Sequence, residues 1–425
     1  MSLSPTPRGL WCHPEFLKLW TGQSISLLGS QVTFLALPLT AALMLEASPF
    51  QMGVLQAAQV APFLLLGLFV GALVDRMPRR PVLVVADFGR AVLLGFIPLL
   101  SLAGLLRMEV LYAVSALVGV MTVFFEVAYQ AYLPSLVRRE DLVEGNSKLQ
   151  VSLSVAQIVG PGLAGALVQV LTAPLAIAID AFSFLASMLF FGLIRDSQPP
   201  PSTKSQRDSL CSEVGEGVRA LLGDPLLRPI AASTATGNLF YNLLFAVYVL
   251  YATRELGIGP VWLGAIFVML GLGGLVGALL AHRAAQRFGL GPTIIGAAFL
   301  GGVTILVVPL AAGPPSVAIP LLMLAWLLGG LTTVVYNVNQ VSLRQAITPE
   351  RLQGRVNATF RVIVWGVSPI GAVLGGLLGE AIGLRATLLV GALGVFLEFG
   401  WVLFSPVRSL RQLPLSLDQP AQTLA

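Results

Sequence analysis

The sequence predicts an all-α membrane protein, with twelve transmembrane helices in two pseudo-symmetric six-helix bundles. Three observations predict it. The 425-residue chain is 56% hydrophobic and 11% charged, with a mean hydropathy of +0.86; a soluble domain carries about a quarter charged residues. Its apolar residues fall in runs long enough to cross a bilayer, which takes roughly 20 helical residues. Its lysines and arginines gather on one side of those runs, as the positive-inside rule requires.

The runs lie near 17–45, 50–74, 81–106, 110–136, 147–170 and 173–194, then near 229–252, 261–281, 291–312, 316–343, 357–380 and 386–405. Each must be helical, because lipid offers backbone groups no water to bond. The first run is too long for a signal peptide and lacks a cleavage site, so no removable leader is expected. Between the two sets, 195–228 is polar, with Pro199-Pro200-Pro201 ahead of a Ser/Thr/Lys cluster. It reads as a cytoplasmic linker whose second part, Val214 to Leu227, forms a short surface helix. The expected organisation is therefore an N-terminal bundle (1–194), the linker (195–228), a C-terminal bundle (229–407) and a disordered cytoplasmic tail (408–425).

Charge sets the orientation. With both termini cytoplasmic, all 25 basic residues fall in inside segments except Arg107, Arg254, Arg385 and the intramembrane Arg90. An odd span count would scramble that asymmetry. The net charge of +5 then reflects loop bias, and no nucleic-acid partner is expected. The halves also repeat. Gln130, Leu133, Glu140 and Leu142 recur as Gln340, Leu343, Glu350 and Leu352, while Thr21-Gly22-Gln23 resembles Thr236-Gly237-Asn238. Together these matches favour a duplicated six-helix unit.

Several chemistries are excluded. Lys18, Lys148 and Lys204 never follow glycine, so there is no P-loop and no ATP hydrolysis by that route. His13 and His282 stand alone, and Cys12 and Cys211 are far apart. Neither set has metal or disulfide spacing. No clustered catalytic set is visible, so no enzyme, cofactor or metal is expected.

The turn between the second and third runs is the most telling local feature. Gly71 closes an apolar run; Asp75, Arg76, Arg79 and Arg80 follow before Pro81 opens the next. Fixed charges at that density belong at a water interface. The pattern resembles the loop between helices 2 and 3 of the major facilitator superfamily, G-x-x-x-D-R-x-G-R-[RK], with Pro78 in place of its second glycine. Further on, Phe125-Glu126, Tyr129-Gln130-Ala131, Leu133-Pro134, Leu142, Asn146 and Gly160-Pro161-x-x-x-Gly165 resemble the macrolide and siderophore exporters of that superfamily. The Gly160, Pro161 and Gly165 run is similar to its antiporter motif, except that Ala166 replaces a further glycine. The resemblance spans about Phe16 to Arg408. It implies drug–proton antiport, a bacterial inner-membrane location, a central cavity lined by spans 1, 4, 7 and 10, and a monomer. The expected partners are a small-molecule substrate, protons and the lipid bilayer.

Ionisable groups inside membranes are expensive, so each is a functional candidate. Glu126 lies well inside span 4, with Gln130 one turn on. The corresponding face of span 10 carries Tyr336 and Gln340; span 7 adds Asn238, Tyr241 and Asn242; span 1 adds Gln23, Ser26 and Gln31. These are the expected polar groups of a cavity for an amphipathic molecule. Glu126 is read either as the group that takes and releases a proton when water access changes or as a structural hydrogen-bond acceptor. Asp180 and Glu398, in spans 6 and 12, are further proton-coupling candidates, with structural pairing as the alternative. Asp87 and Arg90, three residues apart, are expected to form a structural ion pair on one helix face. The charged turn is read as a conformational latch in which Asp75 caps the start of span 11, or as a topology determinant alone.

Small-residue motifs support close helix contact: Gly67-x-x-x-Gly71, Gly273-x-x-x-Gly277 and Gly371-x-x-x-Gly375-x-x-x-Gly379. They are read as sliding surfaces or as generic packing. The sequence thus points to a proton-coupled exporter of hydrophobic or amphipathic compounds. A metabolite uptake symporter and a non-transporting membrane sensor are the alternatives.

Overall fold

A computed structural model describes residues 9–74, 76–195 and 210–412. Helices account for the regular structure, with no strand among these residues. Spans 1 to 6 are α1 (Pro14–Leu39), α2 (Pro49–Val74), α3 (Arg79–Leu102), α4 (Met108–Leu136), α5 (Leu142–Val170) and α6 (Ala173–Gly192). After α7 (Leu210–Gly223) come spans 7 to 11: α8 (Leu227–Leu250), α9 (Pro260–Phe288), α10 (Leu290–Leu310), α11 (Pro315–Ile347) and α12 (Glu350–Ile382). Span 12 is α13 (Leu384–Leu397) continued by α14 (Phe399–Leu403). Twelve of the described helical segments are long and apolar enough to cross a membrane.

Local chemistry explains the boundaries. Proline opens α1, α2, α9 and α11, where its missing N–H is not needed. The α9–α10 and α12–α13 turns pass through Gly289 (φ +93) and Gly383 (φ +86), left-handed conformations that favour glycine. Each half carries a π-helical turn at the matching place: Thr40–Met44 after α1 and Tyr251–Glu255 after α8.

The chain forms two compact units. One contains the described residues within Met1–Glu46 and Ala58–Ser205, the other those within Ala47–Ala57 and Gln206–Ala425. In the first, α1 packs on α5 and α6, and α3 packs on α4 and α6. In the second, α8 packs on α12 and α13, and α10 packs on α11 and α13. The same neighbour pattern thus recurs in each, and each unit has its own apolar core. Phe16, Leu83, Tyr132 and Phe191 lie in the first; Leu221, Ile294, Leu343 and Phe360 lie in the second.

Three details differ from the sequence reading. Residues 47–57, expected in the N-terminal bundle, group with the second unit. The helix expected at 214–227 runs instead over Leu210–Gly223, and it is docked. Its Leu221 is fully buried in the second unit's core, and Glu216 pairs with Arg355 and, at 3.6 Å, with Arg351. The start of the expected tail is also structured. The carbonyls of Leu410 and Arg411 accept from Gly291 N (2.8 Å) and Leu290 N (3.2 Å), satisfying free donors at the start of α10. Residues 413–425 lie outside the described residues.

The glycine motifs part company. A Cβ at Gly273 or Gly277 on α9 would strike the backbone of Leu327 or Leu331 on α11. One at Gly371 or Gly375 on α12 would strike Leu239 or Leu243 on α8. These contacts are packing within the second unit. At Gly67 and Gly71, by contrast, an added Cβ would meet no described atom within 4 Å.

Candidate functional site

In the first unit the chemistry centres on Arg90. Its guanidinium pairs with Asp87 one turn earlier on α3, and both side chains are buried. The guanidinium carbon lies 4.1 Å from the ring centres of both Phe125 on α4 and Phe184 on α6. Two aromatic faces thus hold the cation where water does not. The pair does not stand alone. Asp180 on α6 and Glu126 on α4 also lie within electrostatic range of Arg90. Asp180 is buried and accepts from the Thr33 hydroxyl of α1 and, at 2.9 Å, from the Ser183 hydroxyl. Ser187 faces Asp87 beyond hydrogen-bond reach. One cation therefore faces three carboxyl groups, and such a set is neutral only when two of the three hold a proton. Repulsion among excess charges is strong where the dielectric is low.

Glu126 is the exposed member, and Gln130 is exposed one turn further along α4. Of the span 1 groups, Gln23 is half-buried, and its Oε1 has no hydrogen-bond partner among the described residues. Gln31 fills the space beside Gly160, where a Cβ would collide with its side chain. Pro161 and Gly165 are buried on the same helix. Gly160 is thus the point where α5 closes on α1. In the charged turn, Arg79 donates to the Ala131 carbonyl at the end of α4 (2.8 Å). Arg80 donates to Phe191 (3.0 Å) and to Gly192 at the end of α6. Arg76 is exposed. Asp75, the acid of the expected latch, lies outside the described residues.

The second unit is built differently. Tyr336 and Gln340, expected on a cavity face, are both buried. The Tyr336 hydroxyl bonds Thr234 (2.9 Å) and Ser233 (3.2 Å) on α8. Asn238 donates to the Val364 carbonyl (3.0 Å), Asn242 to the Asn238 carbonyl (2.8 Å), and Gln56 to Asn242 Oδ1 (3.0 Å). Both asparagines therefore tie helices together. Tyr241 opens an aromatic set that sequence reading missed. It stacks on Phe245 (5.8 Å) and meets Trp326 edge-on (6.4 Å). Behind them Tyr248, Phe267 and Trp326 are buried with centroids 5.1–5.9 Å apart. Trp326 Nε1 donates to the Tyr248 hydroxyl (2.9 Å). Tyr241 and Phe245 are the half-buried end of that set. A signal was present: Tyr241, Phe245 and Tyr248 recur at helical spacing on one face of span 7.

Glu398 sits between α13 and α14. Around it the helix tightens to three-residue hydrogen bonds, Glu398 N to Val395 O and Trp401 N to Glu398 O, both 3.2 Å. A mid-helix tightening of this kind often marks a functional irregularity. The carboxylate occupies the space beside Gly237 on α8, where a Cβ would collide with it. No cluster of metal-ligating side chains occurs among the described residues.

Comparison with known proteins agrees with this architecture. The chain is 27% identical over 400 residues to the multidrug efflux pump Tap of Mycolicibacterium fortuitum, covering 91% of this chain and 94% of that protein. It is 26% identical to the enterobactin exporter EntS of Citrobacter koseri, covering 95% and 94%. It is 24% identical to macrolide efflux protein A of Streptococcus pyogenes, covering 93% and 97%. Among solved structures, an inward-facing bacterial homologue of the iron transporter ferroportin superposes with a TM-score of 0.74 at 20% identity, covering 92% and 98%. A variant of the nucleoside transporter NupG gives 0.75 at 12% identity, covering 92% and 99%. At those identities the structures speak for the fold alone. A model of the Major Facilitator Superfamily matches residues 19–318 and 230–423, and the chain, a multi-pass membrane transporter rather than an enzyme, belongs to that superfamily.

Proposed function

We propose that this transporter exports hydrophobic or amphipathic organic compounds, of the drug or siderophore class, in exchange for protons. The observation that carries the coupling is the Arg90 set: one buried cation facing Asp87, Asp180 and Glu126, with only Glu126 exposed. Glu126 is the port through which a proton enters or leaves, and the buried members adjust their pairing to Arg90. Neutral and charged forms of such a set favour different water access, so protonation shifts the balance of conformations. Each proton moving inward contributes about 2.3 kcal/mol per 100 mV, plus the pH term.

The substrate class rests on the relatives and on the aromatic end formed by Tyr241 and Phe245. Stacked rings with few polar groups suit flat, apolar molecules of varied shape. The bias of basic residues supports both termini in the cytoplasm, and the bacterial exporters that the chain is similar to support an inner-membrane location. The test is efflux of lipophilic dyes, macrolides and a catecholate siderophore from inverted vesicles, with and without a protonophore. Gradient-dependent movement of any of them upholds the reading. Movement that persists after the gradient collapses overturns the antiport half.

A further inference from the structure

A cavity of about 590 Å³ opens in the second unit between the first turns of α8 and the end of span 12. Its walls include Pro225, Arg228, Leu397, Trp401, Phe404 and Pro406. Arg228 is the single charged residue of the lining. It is exposed and makes no ion pair among the described residues. The nearest acid in sequence is already engaged: Asp224 Oδ1 accepts from Leu226 N (2.8 Å) and Leu227 N (3.0 Å). Trp401 is 53% exposed and Phe404 84%. The Trp401 Nε1 donates to Thr236 (3.1 Å), which pins the indole along α8.

We infer that this cavity binds an anionic phospholipid, with its phosphate on Arg228 and an acyl chain along Trp401 and Phe404. The polarity order matches the ligand. Both helices end here, α8 at Leu227 and α14 at Leu403, so the cavity lies where hydrocarbon gives way to water. Tryptophan is at home at that depth, and basic pockets between transmembrane helices hold lipid headgroups. The arginine fork matches a phosphate through two parallel bonds. A zwitterionic headgroup brings its own ammonium against Arg228, where no lining acid receives it. A net-negative headgroup such as phosphatidylglycerol avoids that conflict. The site is independent of which compound the transporter moves.

The test is native mass spectrometry of the purified full-length protein from mixed micelles of phosphatidylglycerol and phosphatidylcholine. The wild type retains phosphatidylglycerol in preference. Arg228→Gln lowers that retention about fivefold, the effect of one arginine near an anionic surface. Phe404→Ala lowers it while keeping the cation. Thermal unfolding of Arg228→Gln stays at the wild-type value, because the side chain is exposed and unpaired. Equal retention by Arg228→Gln, or equal retention of both lipids by the wild type, overturns the proposal. Displacement of the lipid by inorganic phosphate, with no effect of Phe404→Ala, overturns it in favour of a free-anion site.

Discussion

The carboxyl group of Asp180 on α6 occupies the space into which a Cβ at Gly29 on α1 would project. Ser183 fills the rest of that space, and Thr33, one turn along α1, donates to the same carboxylate. The approach of α1 to α6 is therefore set by a buried acid and the absence of one methyl group. Gly29→Ala forces the acid or the helix to move. Overpacking of this kind costs about 1–3 kcal/mol. The purified variant is expected to melt several degrees below the wild type, and an unchanged melting temperature would show that α1 and α6 can separate freely.

Arg90 offers a sharper test, because one cation there faces three carboxyl groups. Removing the guanidinium leaves Asp87 buried without its partner, and breaking a buried pair costs about 3–5 kcal/mol. Arg90→Met is expected to express poorly and unfold early. The double variant Arg90→Met with Asp87→Asn recovers most of the loss, since both charges of the pair are then gone. If the double variant is no more stable than the single one, the damage lies in the aromatic sandwich of Phe125 and Phe184, not in charge balance.

Glu126→Gln separates binding from coupling. The amide keeps the size and a hydrogen-bonding capacity but cannot ionise. Dye binding to the purified variant is expected to stay within about twofold of the wild type, while exchange driven by an imposed pH gradient falls about a hundredfold or more, the contribution of a positioned proton-transfer group. Retained pH-driven exchange would assign the proton to Asp87, Asp180 or Glu398 instead.

How much of this was legible beforehand follows from what is local and what is not. The twelve spans and the Asp87–Arg90 pair were readable, because lipid dictates helix and helix dictates i, i+3 contact. That Asp180 and Glu126 join the same cation was not, since it depends on how α3, α4 and α6 cross. The internal repeat misled in one respect. Glu126 and Gln130 correspond in sequence to Tyr336 and Gln340, yet the first two are exposed and the second two buried. Duplication carries over the order and packing of helices but leaves each free to turn about its axis. Small-residue motifs have the same limit: Gly273 and Gly277 meet a helix closely, while a Cβ at Gly67 or Gly71 would meet no described atom within 4 Å. A missing side chain permits an approach without compelling one.

The aromatic end of the second unit yields the last prediction. Tyr241 and Phe245 lie half-buried against a buried group of Tyr248, Phe267 and Trp326, and the buried rings hold the front pair in place. Tyr248→Ala would open a cavity in the core, so its effects on transport and on folding would be confounded. Tyr241 and Phe245 can be changed with less disturbance. An aromatic contact contributes about 0.5–1.5 kcal/mol beyond its buried area, which corresponds to roughly 2- to 13-fold in affinity. Phe245→Leu is expected to raise the KM for flat aromatic dyes within that range and to leave the KM for aliphatic substrates unchanged. Tyr241→Phe, which keeps the ring and removes the hydroxyl, is expected to leave both unchanged. A uniform rise for every substrate in Phe245→Leu would mean that the rings shape the helix and do not touch the cargo.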